Sequence, residues 1–320
     1  MEISNVHRRQ VLLGLAALAT GPLWASAAAA QSGAPDFALI YHAAQLANEA
    51  YDGSSTILGD NPGGQGYIAT PGRTDVQYFL LTNDKKKVQA VAVRGSDNNV
   101  NWSLDMDTMG DDDAAAGILM HAGFRQAAEA IWQDVRPRIK KGYTVYLTGH
   151  SLGGAVAAIL GIYMRKAGIK VGGIITFGQP KFTNLAGAEH YADLPLVRII
   201  YQNDIVSLLP PEFNQTNQRF AHLGTALNIF DGPYYTPITE QQAFQYSTNS
   251  FQSMMTQSSV PDHHLEWYLA SLAAKQNGAI AVPFAQRNQY IHRHRPNDGP
   301  TSGLPGQDVQ QNFGSRYQQQ

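Results

Sequence analysis

The stretch YTVYLTGHSLGG, residues 143–154, decides the fold, because a glycine-rich turn in it joins a strand-like run to a helix-like run. Its first half is apolar, β-branched and aromatic, which is typical of a β-strand. The Ala- and Leu-rich run that follows predicts a helix ending at Gly168. G-x-S-x-G between a strand and a helix is the context of a nucleophile elbow. The pattern therefore predicts a catalytic Ser151, and the alternative is a glycine-rich turn with an uninvolved serine.

The rest of the chain alternates strand-like and helix-like runs, which predicts the α/β class with a central, mostly parallel sheet flanked by helices. Strands are predicted over residues 76–82, 88–93, 171–177 and 196–201, the first two as a hairpin, and helices over 37–51, 121–140 and 265–276. Residues 206–261 are rich in loop-forming residues and carry no predicted element. Active sites of such sheets lie at the carboxyl ends of the strands.

A serine hydroxyl needs a base to take its proton and a carboxylate to orient that base. In hydrolases with this elbow the chain order is serine, acid, histidine. Asp204 follows the strand-like run LVRIIY and is the predicted acid, whereas Asp193 precedes that run and faces the opposite end of the sheet. The adjacent His263 and His264 are both candidates for the base, and only one of them can face Ser151.

A tetrahedral intermediate also needs hydrogen-bond donors for its oxyanion. The backbone N–H of Leu152, directly after the serine, is one predicted donor. Ser96, just beyond the strand-like run VQAVAV, is the other, and the alternative is a turn-capping serine. His150, inside the elbow, is expected to pack or hydrogen-bond locally.

The N-terminal sequence predicts where in the cell the protein acts. Residues 1–30 have a polar start, an apolar run and small residues at A-x-A sites, which predicts a signal peptide. The pair Arg8-Arg9 favours a twin-arginine signal over the general secretory route or an N-terminal membrane anchor. We expect an exported protein, periplasmic or secreted, with a hydrolase domain over 31–286 and a flexible polar tail over 287–320.

The chain has no cysteine and a formal net charge of −2, with 23 basic and 25 acidic residues. No disulfide can therefore stabilise it, and its core must do so. No basic block indicates nucleic-acid binding, and no apolar run after the predicted signal approaches the length of a membrane span.

Six segments together resemble the class 3 lipase family: VAVRGSDNNVNWSLDMD, HAGF, VYLTGHSLGG, ITFGQPKFTN, VRIIYQNDIVSLLPP and PDHHLEWYL. The resemblance implies an α/β-hydrolase fold and the hydrolysis of carboxylic esters without a metal or cofactor. It implies Ser151 as nucleophile, Asp204 as acid, and Ser96 with Leu152 as oxyanion hole. In many relatives the base follows an aspartate and precedes a tyrosine by five positions. Asp262 and Tyr268 stand at those distances from His263, which is therefore preferred to His264.

The resemblance also implies a lid over residues 97–105, with Trp102 as a contact to a lipid interface. Few large apolar residues and several nearby acidic ones favour shorter or more soluble esters. The acidic group Asp105, Asp107 and 111–113 is expected to be solvated rather than to bind calcium. The expected partner is a lipid or small ester, and the alternative function is non-catalytic binding of lipid or cell-wall material.

Overall fold

A nine-stranded sheet forms the centre of the molecule in a computed structural model that describes residues 35–52, 65–96, 110–210, 220–239, 242 and 261–292. The helices are α1 Phe37–Glu49, α2 Ala122–Val135, α3 Leu152–Lys166, α4 Leu185–His190 and α5 Leu265–Lys275. The strands are β1 Gln65–Ala69, β2 Tyr78–Asn83, β3 Val88–Val93, β4 Gly110–Asp113, β5 Ile118–His121, β6 Thr144–His150, β7 Lys170–Phe177, β8 Thr183–Asn184, β9 Leu196–Tyr201, β10 Phe220–Ala221, β11 Thr225–Ile229, β12 Tyr234–Ile238 and β13 Ile280–Ala281. Short 3₁₀ helices cover Arg136–Arg138, Ile205–Leu208, Pro261–His263 and Phe284–Gln289.

The sheet order is β1-β2-β3-β6-β7-β9-β11-β12-β13. The five central strands, β3, β6, β7, β9 and β11, run parallel to one another, and β1 and β2 are antiparallel. Parallel neighbours bring their carboxyl ends to one edge. The turns that follow β6, β7 and β9 therefore lie side by side, and these turns carry the residues of the site. The predicted class, a mostly parallel sheet flanked by helices, is confirmed.

Helices cover both faces of this sheet. α2 and α3 pack against each other on one face, and α1 and α5 pack together on the other. α3 is buried almost all round, as its Ala- and Leu-rich sequence requires of a helix between a sheet and a second helix. Asp36 caps α1, since its Oδ1 accepts the N–H of Leu39 at 3.0 Å. The two cores hold the strand ends rigidly beneath the site.

Four strands of the central sheet were not predicted. β11 and β12 lie in the region read as loop, β1 lies before the predicted hairpin, and β13 follows the last predicted helix. β11 contains the buried Asn228, whose amide donates to Ile200 O and Gln202 O, and β12 contains Pro237. A buried amide and a proline break the alternating apolar pattern from which strands are predicted.

A second sheet, β10-β8-β5-β4, is small and antiparallel. The last described residues also pack on the domain. Tyr290 lies against Tyr234 with ring centroids 4.6 Å apart, and the N–H of His292 donates to Gln202 Oε1 at 2.5 Å. Apolar and backbone contacts with the domain therefore continue to residue 292, within the segment predicted as a tail.

The predicted signal peptide and the tail from residue 293 onward lie outside the residues that the structure describes. Among the residues that the structure does describe, no helix is both long and apolar enough to cross a membrane.

Candidate active site

The elbow places Ser151 in the turn between β6 and α3. Ser151 has φ +59° and ψ −132°, a conformation that L-residues rarely adopt. Its N–H donates to Phe177 O at 2.9 Å, which ties the turn to β7. A Cβ on Gly149 would lie 2.3 Å from Gly153 O, and one on Gly153 would lie 2.2 Å from Val93 O. Both positions must therefore be glycine for strand and helix to meet.

Three buried side chains form a continuous hydrogen-bonded chain at this edge of the sheet. His263 Nε2 lies 2.9 Å from Ser151 Oγ. His263 Nδ1 lies 2.8 Å from Asp204 Oδ2 and 3.0 Å from Oδ1. Relative exposure is 0% for Ser151 and Asp204 and 1% for His263. The arrangement can move a proton from the serine to the imidazole while the carboxylate stabilises the charge that forms.

Asp204 is held by two further donors. Tyr268 Oη donates to Oδ2 at 2.5 Å, and the N–H of Val206 donates to Oδ1 at 2.9 Å. A buried carboxylate stays ionised only when such donors replace water. Burial, with the negative charge of Asp204, raises the pKa of Tyr268 well above its usual value, so this phenol remains a donor.

The two adjacent histidines have different places. His263 lies in the 3₁₀ turn and faces both partners, whereas His264 is the residue that precedes α5. Burial lowers the pKa of His264. His222 does not contact the triad in this way; its Nε2 is 2.7 Å from Ser207 O, in the turn that follows Asp204.

His150 bonds over long range rather than locally. Its Nε2 lies 2.8 Å from the carbonyl oxygen of His263, and its Nδ1 lies 2.8 Å from Tyr51 Oη. A carbonyl oxygen only accepts, so Nε2 carries the proton and Nδ1 accepts from the tyrosine. Burial, with the nearby His263, holds the pKa of His150 well below its usual value, which keeps this tautomer neutral.

The predicted oxyanion donors lie next to the serine. Leu152 is the first residue of α3, where an N–H has no acceptor within the helix and the helix dipole favours negative charge. Ser96 is half-buried and follows Gly95, which lies against the elbow. A Cβ on Gly95 would be 3.1 Å from the Cβ of Ser151. The Ser96 segment therefore runs past the nucleophile.

Sequence reasoning missed Gly178, which lies against both Asp204 and His263. It follows β7 with φ +55°, and a Cβ there would lie 2.5 Å from Asp204 Oδ2 and 2.8 Å from His263 Nδ1. Only glycine leaves room for the carboxylate and the imidazole to meet. A glycine directly after a predicted parallel strand was the signal that could have found it. Tyr51 was also missed, and it carries no comparable sequence signal.

The whole predicted lid, residues 97–105 with Trp102, and the acidic Asp107 lie outside the described residues. Asp113 is buried and accepts the N–H of Ala116 at 2.6 Å and the hydroxyl of Tyr163, so it closes the turn between β4 and β5. Within the described ranges, no three His, Asp or Glu side chains group as metal ligands would.

The sequence and the fold are similar to those of known lipases. Residues 90–214 match the family described as Lipase (class 3). The chain is 31% identical over 152 residues to secreted mono- and diacylglycerol lipase 1 of Fusarium solani, covering 43% of this chain and 44% of that protein. Lipase II from Rhizopus niveus has a similar structure, with a TM-score of 0.56 and 24% identity over 70% of this chain and 90% of that one. The lipase of Rhizopus microsporus var. chinensis has a TM-score of 0.51 and 26% identity, over 65% and 79%.

The curated relatives are matched over only part of their length. The chain spans less than half the length of the curated relatives it matches, 44% of the Fusarium solani lipase and 39% of the Rhizopus niveus lipase. The Rhizopus niveus structure, at 24% identity, shows the fold alone. That fold agrees with the α/β-hydrolase architecture expected from the elbow.

Proposed function

We propose that this chain, whose residues 90–214 match the family described as Lipase (class 3), is a lipase of that type and hydrolyses carboxylic esters with Ser151 as nucleophile. The observation that carries the proposal is the buried chain of hydrogen bonds from Ser151 Oγ through His263 to Asp204. A serine without such a base is a weak nucleophile.

In the proposed reaction, Ser151 Oγ attacks the ester carbonyl carbon while His263 Nε2 takes the hydroxyl proton. The N–H groups of Leu152 and Ser96 stabilise the oxyanion. The tetrahedral intermediate collapses, the bond to the alcohol breaks, and His263 returns the proton to the leaving oxygen. Water then attacks the acyl-enzyme through the same base, releasing the acid and restoring Ser151. Asp204 holds the imidazole in the required tautomer throughout.

We propose acylglycerols or shorter esters as substrates. The Fusarium solani relative is named a mono- and diacylglycerol lipase, which supports a lipid ester. The sequence after Ser96 is acidic and has few large apolar residues, which favours esters that are shorter or more soluble. We also propose that the protein is exported, on the strength of its N-terminal sequence and of a relative described as secreted.

The decisive experiment measures covalent labelling and ester hydrolysis together. A fluorophosphonate probe should label the wild type at a single site, and S151A should lose the label and lower kcat by about 10⁴-fold or more. Ser271→Ala is the matched control, because Ser271 is another buried serine and lies in α5, where its hydroxyl donates to Phe230 O and accepts from Lys275 Nζ.

Unlabelled wild-type protein that is folded would overturn the ester-hydrolase proposal and favour a non-catalytic lipid- or cell-wall-binding protein. Rates on p-nitrophenyl esters of increasing acyl length, below and above their solubility, then separate the two substrate classes. A rise in rate at the oil–water interface indicates a lipase, and an unchanged rate indicates an esterase of soluble substrates.

A further inference from the structure

A second hydrogen bond runs beside the one that joins the acid and the base. The carboxylate of Asp262 accepts the backbone N–H of Asn203 at 3.1 Å. Asp262 directly precedes His263, and Asn203 directly precedes Asp204. We call the 3₁₀ turn Pro261–His263 the histidine turn and residues 202–204, which follow β9, the acid turn. Two consecutive residues of the histidine turn thus bond to two consecutive residues of the acid turn.

We propose that Asp262 is a positioning residue, whose buried carboxylate fixes the backbone of the acid turn so that Asp204 meets His263 Nδ1. The proposal rests on the function proposed above and adds a residue that does not itself touch the reacting atoms. Asp262 is 5% exposed, so its place is fixed by protein contacts rather than by water.

This bond joins the backbone of the acid turn to the histidine turn. The turn at Asn203 leaves β9 through Gln202, which has a positive φ of 43°. Such a backbone persists only where its surroundings hold it. The Asn203 N–H is the group through which the histidine turn holds it directly, while the Asp204 side chain remains available to His263.

The ionisation of Asp262 gives this role a pH dependence that can be measured. Burial raises the pKa of Asp262 to about 7, the bond from Asn203 opposes this, and Asp204 and Asp231 add to the rise. The other groups that interact with its charge are Tyr201 of β9 and Tyr268 of α5, with His263 its neighbour in the chain. An ionised carboxylate accepts an N–H more strongly than a carboxylic acid does. The acid turn is therefore held best above neutral pH and less firmly below it.

The test compares D262A, which removes the acceptor, with D262N, which keeps an oxygen acceptor but cannot ionise. D262A should lower both kcat and the rate of fluorophosphonate labelling about tenfold or more, with KM little changed. D262N should retain most activity at high pH, and its acidic limb of kcat against pH should lose one ionisation relative to the wild type.

Asp113→Asn is the matched control. Asp113 is also a buried carboxylate that accepts a backbone N–H, but it lies in the small sheet and should change neither kcat nor its pH profile. Thermal unfolding gives an independent readout. Because folding raises the pKa of Asp262 to about 7, the wild type should lose stability relative to D262N as pH rises from about 4 to about 7.

The outcomes separate this proposal from the proposed function. Wild-type protein that takes no label would overturn ester hydrolysis itself. Labelled wild type with folded D262A that labels at the same rate would overturn only the role of Asp262. If D262A does not fold, a D262N profile that superimposes on the wild-type profile would do the same.

Discussion

The elbow around Ser151 is fixed by close backbone contacts of one short stretch, residues 149–154, whereas the Asp204–His263 pair is fixed by side-chain hydrogen bonds between segments far apart in sequence. Gly149 lets the end of β6 approach the backbone of α3, and Gly153 lets α3 approach the backbone at the end of β3. The acid and the base instead depend on Tyr268, Asp262 and the residues that anchor α5.

Lys275 shows how that second region is anchored. It is 2% exposed, and its ammonium donates to Phe230 O at 2.6 Å and to Gly232 O at 2.8 Å. Burial lowers its pKa to about 7. This one side chain ties the end of α5 to the turn between β11 and β12. Damage to the elbow should therefore appear as lost folding, and damage to the acid–base region should appear as lost catalysis in a folded protein.

Gly149→Ala should have the largest effect on stability. Its Cβ would lie 2.3 Å from Gly153 O and 2.9 Å from Gly154 N, atoms of a helix that cannot move away from the sheet. We expect a loss of about 3 kcal/mol or more, or no folded protein. Chemical denaturation checks it.

Gly123→Ala is the control, since Gly123 is exposed in α2 and its Cβ would only touch the ring of His121 at 3.5 Å. It should gain up to about 1 kcal/mol from helix propensity. A Gly149→Ala protein as stable as the wild type would show that the elbow is not sterically fixed.

Gly178→Ala should have its main effect on catalysis. Its Cβ would lie 2.5 Å from Asp204 Oδ2 and 2.8 Å from His263 Nδ1. These are side-chain atoms, which can yield without unfolding the sheet, but a shift of about 1 Å in catalytic groups costs about 100-fold in rate. Steady-state kinetics and thermal unfolding of the same preparation measure both effects.

Gly142→Ala supplies the matched backbone control for that experiment. Gly142 has φ +79°, in the same left-handed region, and a Cβ there would contact nothing within 4 Å. It should cost about 1 kcal/mol of stability with kcat unchanged. Equal losses of kcat in both variants would mean that backbone strain, rather than displacement of the pair, explains the Gly178 result.

The same contrast explains what the sequence could predict. The glycines that the elbow requires lie within residues 149–154, so a short motif predicts them, and Asp204 was predicted because it follows a regular apolar strand. Strands with continuous apolar runs, such as β7 and β9, were predicted for the same reason.

The other contacts of the acid and base could not be predicted in this way. Asp262 and Asn203 are 59 residues apart, and Tyr51 and His150 are 99 residues apart. No local pattern specifies such a pair, because the fold itself brings the two segments together. β11 was missed for a related reason, since Asn228 is compatible with a buried strand only through acceptors supplied by β9 and the turn after it.

Tyr268→Phe should have the smallest effect of these changes, and it tests whether a side-chain hydrogen bond is needed to hold Asp204. The change removes the 2.5 Å hydrogen bond to Asp204 Oδ2 but leaves the ring in place and the Val206 N–H bonded to Oδ1. A hydrogen bond to a charged group contributes about 1.5–3 kcal/mol, so part of that loss should appear as a fall of about tenfold in kcat. Tyr191→Phe is the control, because its hydroxyl donates at 2.6 Å to Ala116 O, far from the site, and it should lower only the unfolding temperature. If Tyr268→Phe likewise lowered only the unfolding temperature, the tyrosine would serve the fold, and the backbone N–H of Val206 would suffice to hold the acid, as backbone contacts hold the serine.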